Sequence, residues 1–148
     1  MDTKLKADIA ESAVTTELLR RGFKVLKPIG DRLPYDLAID ADSKLIKIQV
    51  KSAWFYKGAY KADSRMTKTN RRKIIRKYYD KNDFDFAIIY IQDLNIFYIM
   101  PQETFSGYKS EISLVETAKR QRRPKSIKYR ERWDLFLAAS ISSDFLLT

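Results

Sequence analysis

Residues 34–51, PYDLAIDADSKLIKIQVK, decide the fold because apolar and polar residues alternate on both sides of a short turn. A two-residue turn at residues 42–43 makes Leu37 the cross-strand partner of Ile48, and the apolar residues of the two strands then face one another. An antiparallel pair of strands with one buried face has this pattern. The stretch therefore predicts a β-hairpin with a fixed register.

The other face of this hairpin is mostly polar and carries Asp36, Gln49 and Lys51. In the predicted register Asp36 lies opposite Gln49, and directly opposed residues have Cβ atoms about 5 Å apart. Lys51 follows two residues later on the same face, although a β-bulge would shift this arrangement by one residue. The hairpin alone is thus expected to bring a carboxylate, an amide and an amine together.

The charge of the chain favours a polyanionic partner. Among 148 residues, 29 Lys and Arg stand against 19 Asp and Glu, which gives a net charge of +10 and a pI near 9.7. The length fits a single domain over residues 1–148, and the charge points to nucleic acid. A basic protein with a solvated surface is the simpler alternative.

Cysteine and histidine are absent from the sequence. Their absence excludes disulfides, Cys/His zinc sites and imidazole- or thiol-based triads. It leaves carboxylates, amides, lysine and a hard cation such as Mg²⁺ or Mn²⁺. The first residues lack the apolar segment of a signal peptide, and no apolar run approaches the roughly 20 residues of a membrane span. We therefore expect an intracellular, cytoplasmic protein that uses no membrane and no organic cofactor.

A helix is predicted over residues 3–21, because apolar residues recur at helical spacing between Ala7 and Leu18, and Gly22 ends it. Glu11 lies within this apolar stripe, where a carboxylate is unexpected on a face that packs against a core. The remaining patterns predict strands at 23–26, at 54–64 around Gly58, twice within 84–100 and at 111–115, and helices at 67–79 and 131–140. This order indicates one α/β domain with a mixed sheet flanked by helices.

The polar residues of the hairpin suit phosphodiester hydrolysis. Asp36 can anchor a metal ion that polarises the phosphate and activates a water molecule. Lys51 offers positive charge to the phosphate, or it orients or deprotonates the water. Gln49 and the Val50 carbonyl add oxygen ligands, and Glu11 supplies a second carboxylate from the helix. The simpler alternatives are a surface ion pair between Asp36 and Lys51, a solvated Gln49, and a Glu11 that only complements the helix dipole.

These residues resemble the motif of the PD-(D/E)XK nuclease superfamily: Glu11, Pro34-Tyr35-Asp36 and Gln49-Val50-Lys51. The stretches RMTKTNRRK and AKRQRRPKS extend the resemblance to the PD-(D/E)XK homing endonucleases that bacterial group I introns encode. The resemblance implies an αβββαβ core, Mg²⁺-dependent cleavage of both strands of a long DNA site, and a homo-oligomer. Gln49 stands where the motif usually has an acid, which leaves open whether one or two metal ions bind.

Two basic clusters follow the motif along the chain and are predicted to bind double-stranded DNA. The first cluster is Lys68, Arg71, Arg72, Lys73, Arg76 and Lys77, and the second is Lys119, Arg120, Arg122, Arg123, Lys125, Lys128 and Arg130. Their side chains suit phosphates and guanine edges, although such runs are also commonly solvated faces. Lys57, Tyr60 and Lys61 are further candidates for DNA contact.

One chain offers one catalytic cluster, so cutting both strands calls for an even-numbered oligomer, either a dimer or a dimer of dimers. Trp133, Leu135, Phe136 and Leu137 either form that interface or belong to the core of one chain. The main prediction is a homing-type DNA endonuclease. The alternatives are a Holliday-junction resolvase or restriction-type nuclease, and a nucleic-acid-binding module without catalysis.

Overall fold

The structure is a computed structural model that describes residues 2–69, 74–114, 116 and 124–146. In chain order its elements are α1 (Thr3–Arg20), β1 (Val25–Leu26), β2 (Leu37–Asp40), β3 (Leu45–Ser52), β4 (Trp54–Tyr56), β5 (Ala59–Asp63), β6 (Met66–Thr69), β7 (Ile74–Lys77), β8 (Phe86–Ile91), β9 (Ile96–Pro101), α2 (Gln102–Gly107), β10 (Glu111–Leu114), a 3₁₀ helix (Lys125–Tyr129) and α3 (Asp134–Leu146). The central sheet has the strand order β1-β2-β3-β8-β9. Among the described strands of this sheet, β3 and β8 run parallel and the other neighbours antiparallel, which confirms the predicted mixed sheet.

The hairpin of β2 and β3 has the predicted register. Leu37 pairs with Ile48 and Ile39 with Ile46, and each of these side chains is at most 2% exposed. A slip of β2 by one residue would turn Leu37 and Ile39 toward the opposite face, and burial stabilises each such side chain by about 1.5–3 kcal/mol. The alternating sequence therefore permits a single register.

Helices α1 and α3 cover one face of the sheet. Val14 and Leu18 of α1 share a core with Trp133 and Phe136, which are 4% and 0% exposed. The Phe136 ring packs edge-on against Phe86 at 4.9 Å. Trp133 and Phe136 therefore belong to the core, and the alternative that assigned them to an oligomer interface is wrong for these two residues. Of the same group, Leu135 is partly buried against this core and Leu137 is 58% exposed.

Helix α2 and a second sheet, with the strand order β10-β5-β4, flank the opposite face. All six residues of β8 are buried. Both faces of this central strand are covered, and its sequence is therefore a continuous apolar run. The predicted ribbon around Gly58 is confirmed as β4 and β5, and Gly58 adopts a φ of +80° in their turn. Within the described ranges, no helix is long and apolar enough to cross a membrane.

The predicted helix over residues 67–79 is wrong. Strands β6 and β7 pair antiparallel there, and residues 70–73 between them lie outside the described part of the chain. The helix in the middle of the expected αβββαβ order is therefore replaced, in the described residues, by strands. Four residues of these two strands are β-branched and favour extended backbone: Thr67, Thr69, Ile74 and Ile75. Lysine and arginine are compatible with either structure.

Candidate active site

Asp36 directly precedes β2, and its carboxylate is hydrogen-bonded to β3. Its Oδ2 accepts a hydrogen bond of 2.8 Å from the Val50 N–H. Its own N–H donates to the Ile48 carbonyl at 2.9 Å, although the sheet partner of Ile48 is the next residue, Leu37. The side chain of Asp36 thus takes a position in the ladder that backbone atoms would otherwise fill, and it fixes the carboxylate beside Val50.

The amine of Lys51 projects into a largely buried site near the end of β3. Its Nζ donates to the Arg65 carbonyl at 2.8 Å and lies 5.1 Å from the centre of the Tyr79 ring. Burial lowers the pKa of Lys51 to about 8, and the attraction of Asp63 and Asp36 opposes that shift. Lys51 therefore carries a proton that it can release close to neutral pH.

Glu11 faces the site from α1, as the sequence predicts, but with a partner that the sequence does not reveal. Its Oε1 lies 2.7 Å from the Lys27 Nζ, and the two side chains are 25% and 71% exposed. Burial raises the pKa of Asp36, the Val50 N–H opposes the rise, and the negative charge of Glu11 adds to it. The two carboxylates are thus close enough to repel each other, and Lys27 offsets part of that repulsion.

Gln49 and Val50 contribute amide and carbonyl groups beside Asp36. The Gln49 Nε2 donates a long hydrogen bond of 3.4 Å to the Val50 carbonyl. The half-buried Gln49 side chain is therefore held only weakly. It can leave the Val50 carbonyl and turn toward a ligand that forms a stronger bond.

Two carboxylates with amide and carbonyl oxygens fit a hard divalent cation. Mg²⁺ is commonly held by one or two carboxylates and keeps several water molecules. The described part of the chain gathers no group of three or more His, Cys, Asp or Glu that could hold a metal ion. Asp36 and Glu11 supply the two carboxylates of the kind that such an ion prefers.

This geometry agrees with a match to a family of nucleases. The family model described as PD-(D/E)XK endonuclease matches residues 1–136. The chain belongs to the PD-(D/E)XK endonuclease family. It is a DNA endonuclease, and the mixed sheet with flanking helices is the fold of that family.

A solved structure matches this PD-(D/E)XK endonuclease over nearly all of the given chain. The structure of a bacterial homing endonuclease, I-Ssp6803I, is 50% identical in sequence and superimposes with a TM-score of 0.89. The match covers 97% of this chain and 99% of that one. A comparison with curated proteins finds no match.

The β4–β5 ribbon holds three of the predicted DNA-binding residues in different states. Lys57 is exposed, with its Nζ 5.3 Å from the Tyr56 ring. The Tyr60 hydroxyl donates to Asp93 at 3.2 Å. The Lys61 ammonium pairs with Glu111, and its side chain is only 19% exposed. Lys57 is thus the most available of the three for a phosphate.

The two basic clusters are described only in part. Arg76 is 52% exposed and lies 4.0 Å from Asp63, and Lys77 is exposed. Lys125 and Lys128 are exposed around a small cavity that Tyr129 also lines, whereas Arg130 pairs with Glu116 at 2.8 Å. The other predicted DNA-binding side chains lie outside the described ones: Lys68, Arg71, Arg72, Lys73, Lys119, Arg120, Arg122 and Arg123.

Sequence reasoning missed four residues that surround the motif: Lys27, Asp63, Arg65 and Tyr79. Lys27 pairs with Glu11, and the other three lie around the Lys51 amine. An acid within the basic ribbon was a signal that could have drawn attention to Asp63. Nothing in the sequence pattern marks a backbone carbonyl such as that of Arg65.

Proposed function

We propose that this PD-(D/E)XK endonuclease is a Mg²⁺-dependent homing endonuclease that cleaves both strands of a specific DNA sequence. The observation that carries the proposal is that Asp36 is held at the Val50 N–H and the part-buried Lys51 amine at the Arg65 carbonyl, around the same end of β3. The 50% identity to I-Ssp6803I over nearly the whole of both chains supports the homing type. The net charge of +10 supports a DNA partner.

The roles follow from the chemistry of each group. We assign Asp36 and Glu11 to hold the cation, with the Val50 carbonyl and Gln49 as further oxygen ligands. When bound, the cation polarises the phosphate and makes a bound water more acidic. A protonated Lys51 stabilises the charge that develops on the scissile phosphate. Since its pKa is about 8, Lys51 can also take a proton from the attacking water in its neutral form.

Cleavage of genomic DNA from the source organism tests the function directly. The purified protein is incubated with this DNA in Mg²⁺ or in EDTA, and the new ends are sequenced. We expect ends that appear only with Mg²⁺ and share one long motif. Cleavage of four-way junctions in preference to linear duplex would instead indicate a resolvase, and salt-sensitive binding without cleavage would indicate a binding module.

The variant Lys51→Ala tests the assigned site. We expect single-turnover cleavage to fall by at least about 10²–10³-fold, the range for removal of one preorganised donor, with the DNA dissociation constant within a few-fold. Lys47→Ala is the matched control, because Lys47 lies on the same strand and its Nζ also donates to a backbone carbonyl, that of Asn82 at 2.6 Å. Cleavage by Lys51→Ala at the rate of the control would refute the site.

We further propose an even-numbered homo-oligomer, a dimer or a dimer of dimers. Each chain has one set of site residues, whereas a duplex has two strands to cut. Two chains related by a two-fold axis match the symmetry of the two strands. Light scattering of the complex with duplex DNA measures the number of chains. A monomer that binds and cuts both strands would contradict this assembly.

A further inference from the structure

Asp63, the last residue of β5, provides a negative charge near Lys51 that the motif does not contain. Two carboxylates raise the pKa of the Lys51 amine against the effect of burial, and Asp63 does so more than Asp36. Asp63 itself lies on the second sheet, outside the central sheet that carries the motif. The ammonium group of Lys51 is therefore stabilised from two separate elements.

The Asp63 carboxylate also clamps Arg65. Its Oδ1 accepts hydrogen bonds from the Arg65 N–H at 2.9 Å and from Nε at 3.0 Å, and its Oδ2 accepts one from Nη2 at 3.1 Å. Charge-assisted bonds of this bidentate kind are among the strongest in proteins. The clamp holds the backbone N–H and the side chain of Arg65, the residue whose carbonyl accepts the Lys51 amine at 2.8 Å.

Ser64, between Asp63 and Arg65, anchors the same segment of the chain. Ser64 is 2% exposed, its N–H donates to the Ser110 carbonyl at 2.8 Å, and its hydroxyl donates to the Tyr108 carbonyl at 3.0 Å. With backbone and side chain both bonded, the segment has little freedom to rotate. The direction of the Arg65 carbonyl is therefore set before any substrate binds.

We propose that Asp63 is a positioning residue for DNA cleavage, which clamps Arg65 so that its carbonyl holds the Lys51 amine at the scissile phosphate. The proposal rests on the role of Lys51 given under the proposed function. Tyr79 completes the enclosure, because its ring lies 5.1 Å from the same amine. Asp63 acts through Arg65 and through charge, and it does not itself touch the reacting atoms.

The substitution Asp63→Asn keeps the size of the side chain and removes its charge. We expect the single-turnover cleavage rate to fall at least about 10-fold, because a misplacement of about 1 Å can cost about 10²-fold in rate. The DNA dissociation constant should stay within about 3-fold. Asp134→Asn is the matched control, since Asp134 forms the same kind of fork two residues from Arg132, at 2.9 and 3.0 Å, on the surface. A rate for Asp63→Asn within about 2-fold of this control would overturn the proposal.

The variant Arg65→Lys keeps the positive charge but cannot form the fork, and it serves if Asp63→Asn does not fold. We expect a fall of at least about 5-fold in the cleavage rate, with unchanged DNA affinity. Both variants are assayed well below the midpoint of their thermal unfolding. A variant that has a lower unfolding temperature but the full cleavage rate would show a structural role only, and would overturn the proposal.

Combination with Lys51→Ala separates this inference from the proposed function. Asp63→Asn should cause no further loss in a Lys51→Ala background, because the group that it positions is gone. An equal fractional loss in both backgrounds would show that Asp63 acts independently of Lys51, and would refute the inference alone. Full cleavage by Lys51→Ala would refute the assigned site, and the inference with it.

Discussion

Gln49→Glu restores an acid at the position where the family motif usually has one, and its effect can be worked out from the surroundings of Asp36. The pKa of Asp36 is already raised by burial and by the charge of Glu11. A further carboxylate on half-buried Gln49 would lie about 6 Å away, across the strand pair. At an effective dielectric constant of about 20, the added repulsion is about 3 kcal/mol.

Without metal, this repulsion destabilises the folded protein. We expect the free energy of unfolding to fall by about 2–3 kcal/mol, which lowers the unfolding temperature of a chain of this length by about 5–10 °C. A bound divalent cation turns the same charge into an attraction. Relief of 2–3 kcal/mol corresponds to an affinity for Mg²⁺ that is tighter by about 30- to 150-fold.

The assay is thermal unfolding in EDTA and across a Mg²⁺ titration, together with calorimetric measurement of the metal dissociation constant. Gln92→Glu is the control, because it makes the same chemical change in the turn between β8 and β9. Gln49→Glu should be less stable than the control in EDTA and should gain more stability from Mg²⁺. Equal metal affinity for Gln49→Glu and the native protein would refute the placement of Gln49 at the metal site.

Two further predictions concern DNA binding and alkaline pH. The logarithm of the DNA association constant should fall against the logarithm of salt concentration with a slope of at least about 5, because several phosphates release counterions; a dissociation constant independent of salt would contradict the basic surface. Burial raises the pKa of Tyr79 and of Tyr98, whose hydroxyl also donates to Glu116. Their folded pKa values lie above the unfolded value of 10.0, so their contribution to stability is complete below pH 10 and is lost above it, by about 1.4 kcal/mol per pH unit for each tyrosine. Urea unfolding between pH 9 and 12 should show this fall, and Tyr98→Phe should remove about half of it.

The central hairpin could be predicted because its information is local. Alternation of apolar and polar residues has the period of a strand, and the pairing of Leu37 with Ile48 follows from matching the two apolar faces. The one departure is at Asp36, whose N–H bonds to Ile48 and whose carboxylate bonds to the Val50 N–H. A side chain that competes with the backbone for a ladder position is a local event that alternation does not describe.

The segment at residues 67–79 was mispredicted because its sequence is compatible with two structures. Ile74, Ile75, Tyr78 and Tyr79 recur at the spacing of a helix face. In the structure Ile74 and Ile75 belong to β7, which pairs with β6, and Tyr79 follows the strand and packs edge-on against Phe84 at 5.0 Å. Pairing with β6 and packing on a distant aromatic residue decide the structure, and neither is visible in a window of thirteen residues.

The surroundings of Lys51 explain why a motif predicts a site better than it predicts the properties of that site. Alternation along β3 fixes which face Lys51 occupies, and the motif brings Asp36 near it. Three residues that lie 12 to 28 positions further along the chain surround the amine. The Arg65 carbonyl accepts its hydrogen bond, Asp63 is its stronger counter-charge, and the Tyr79 ring lies beside it. Burial of the amine lowers its pKa to about 8 against the opposing charge of Asp63, near the pH at which a proton can be transferred in either direction. A chain with the same motif on a hairpin but without the β5–β6 segment would therefore have a lysine that is exposed, fully charged and unable to exchange a proton near neutral pH.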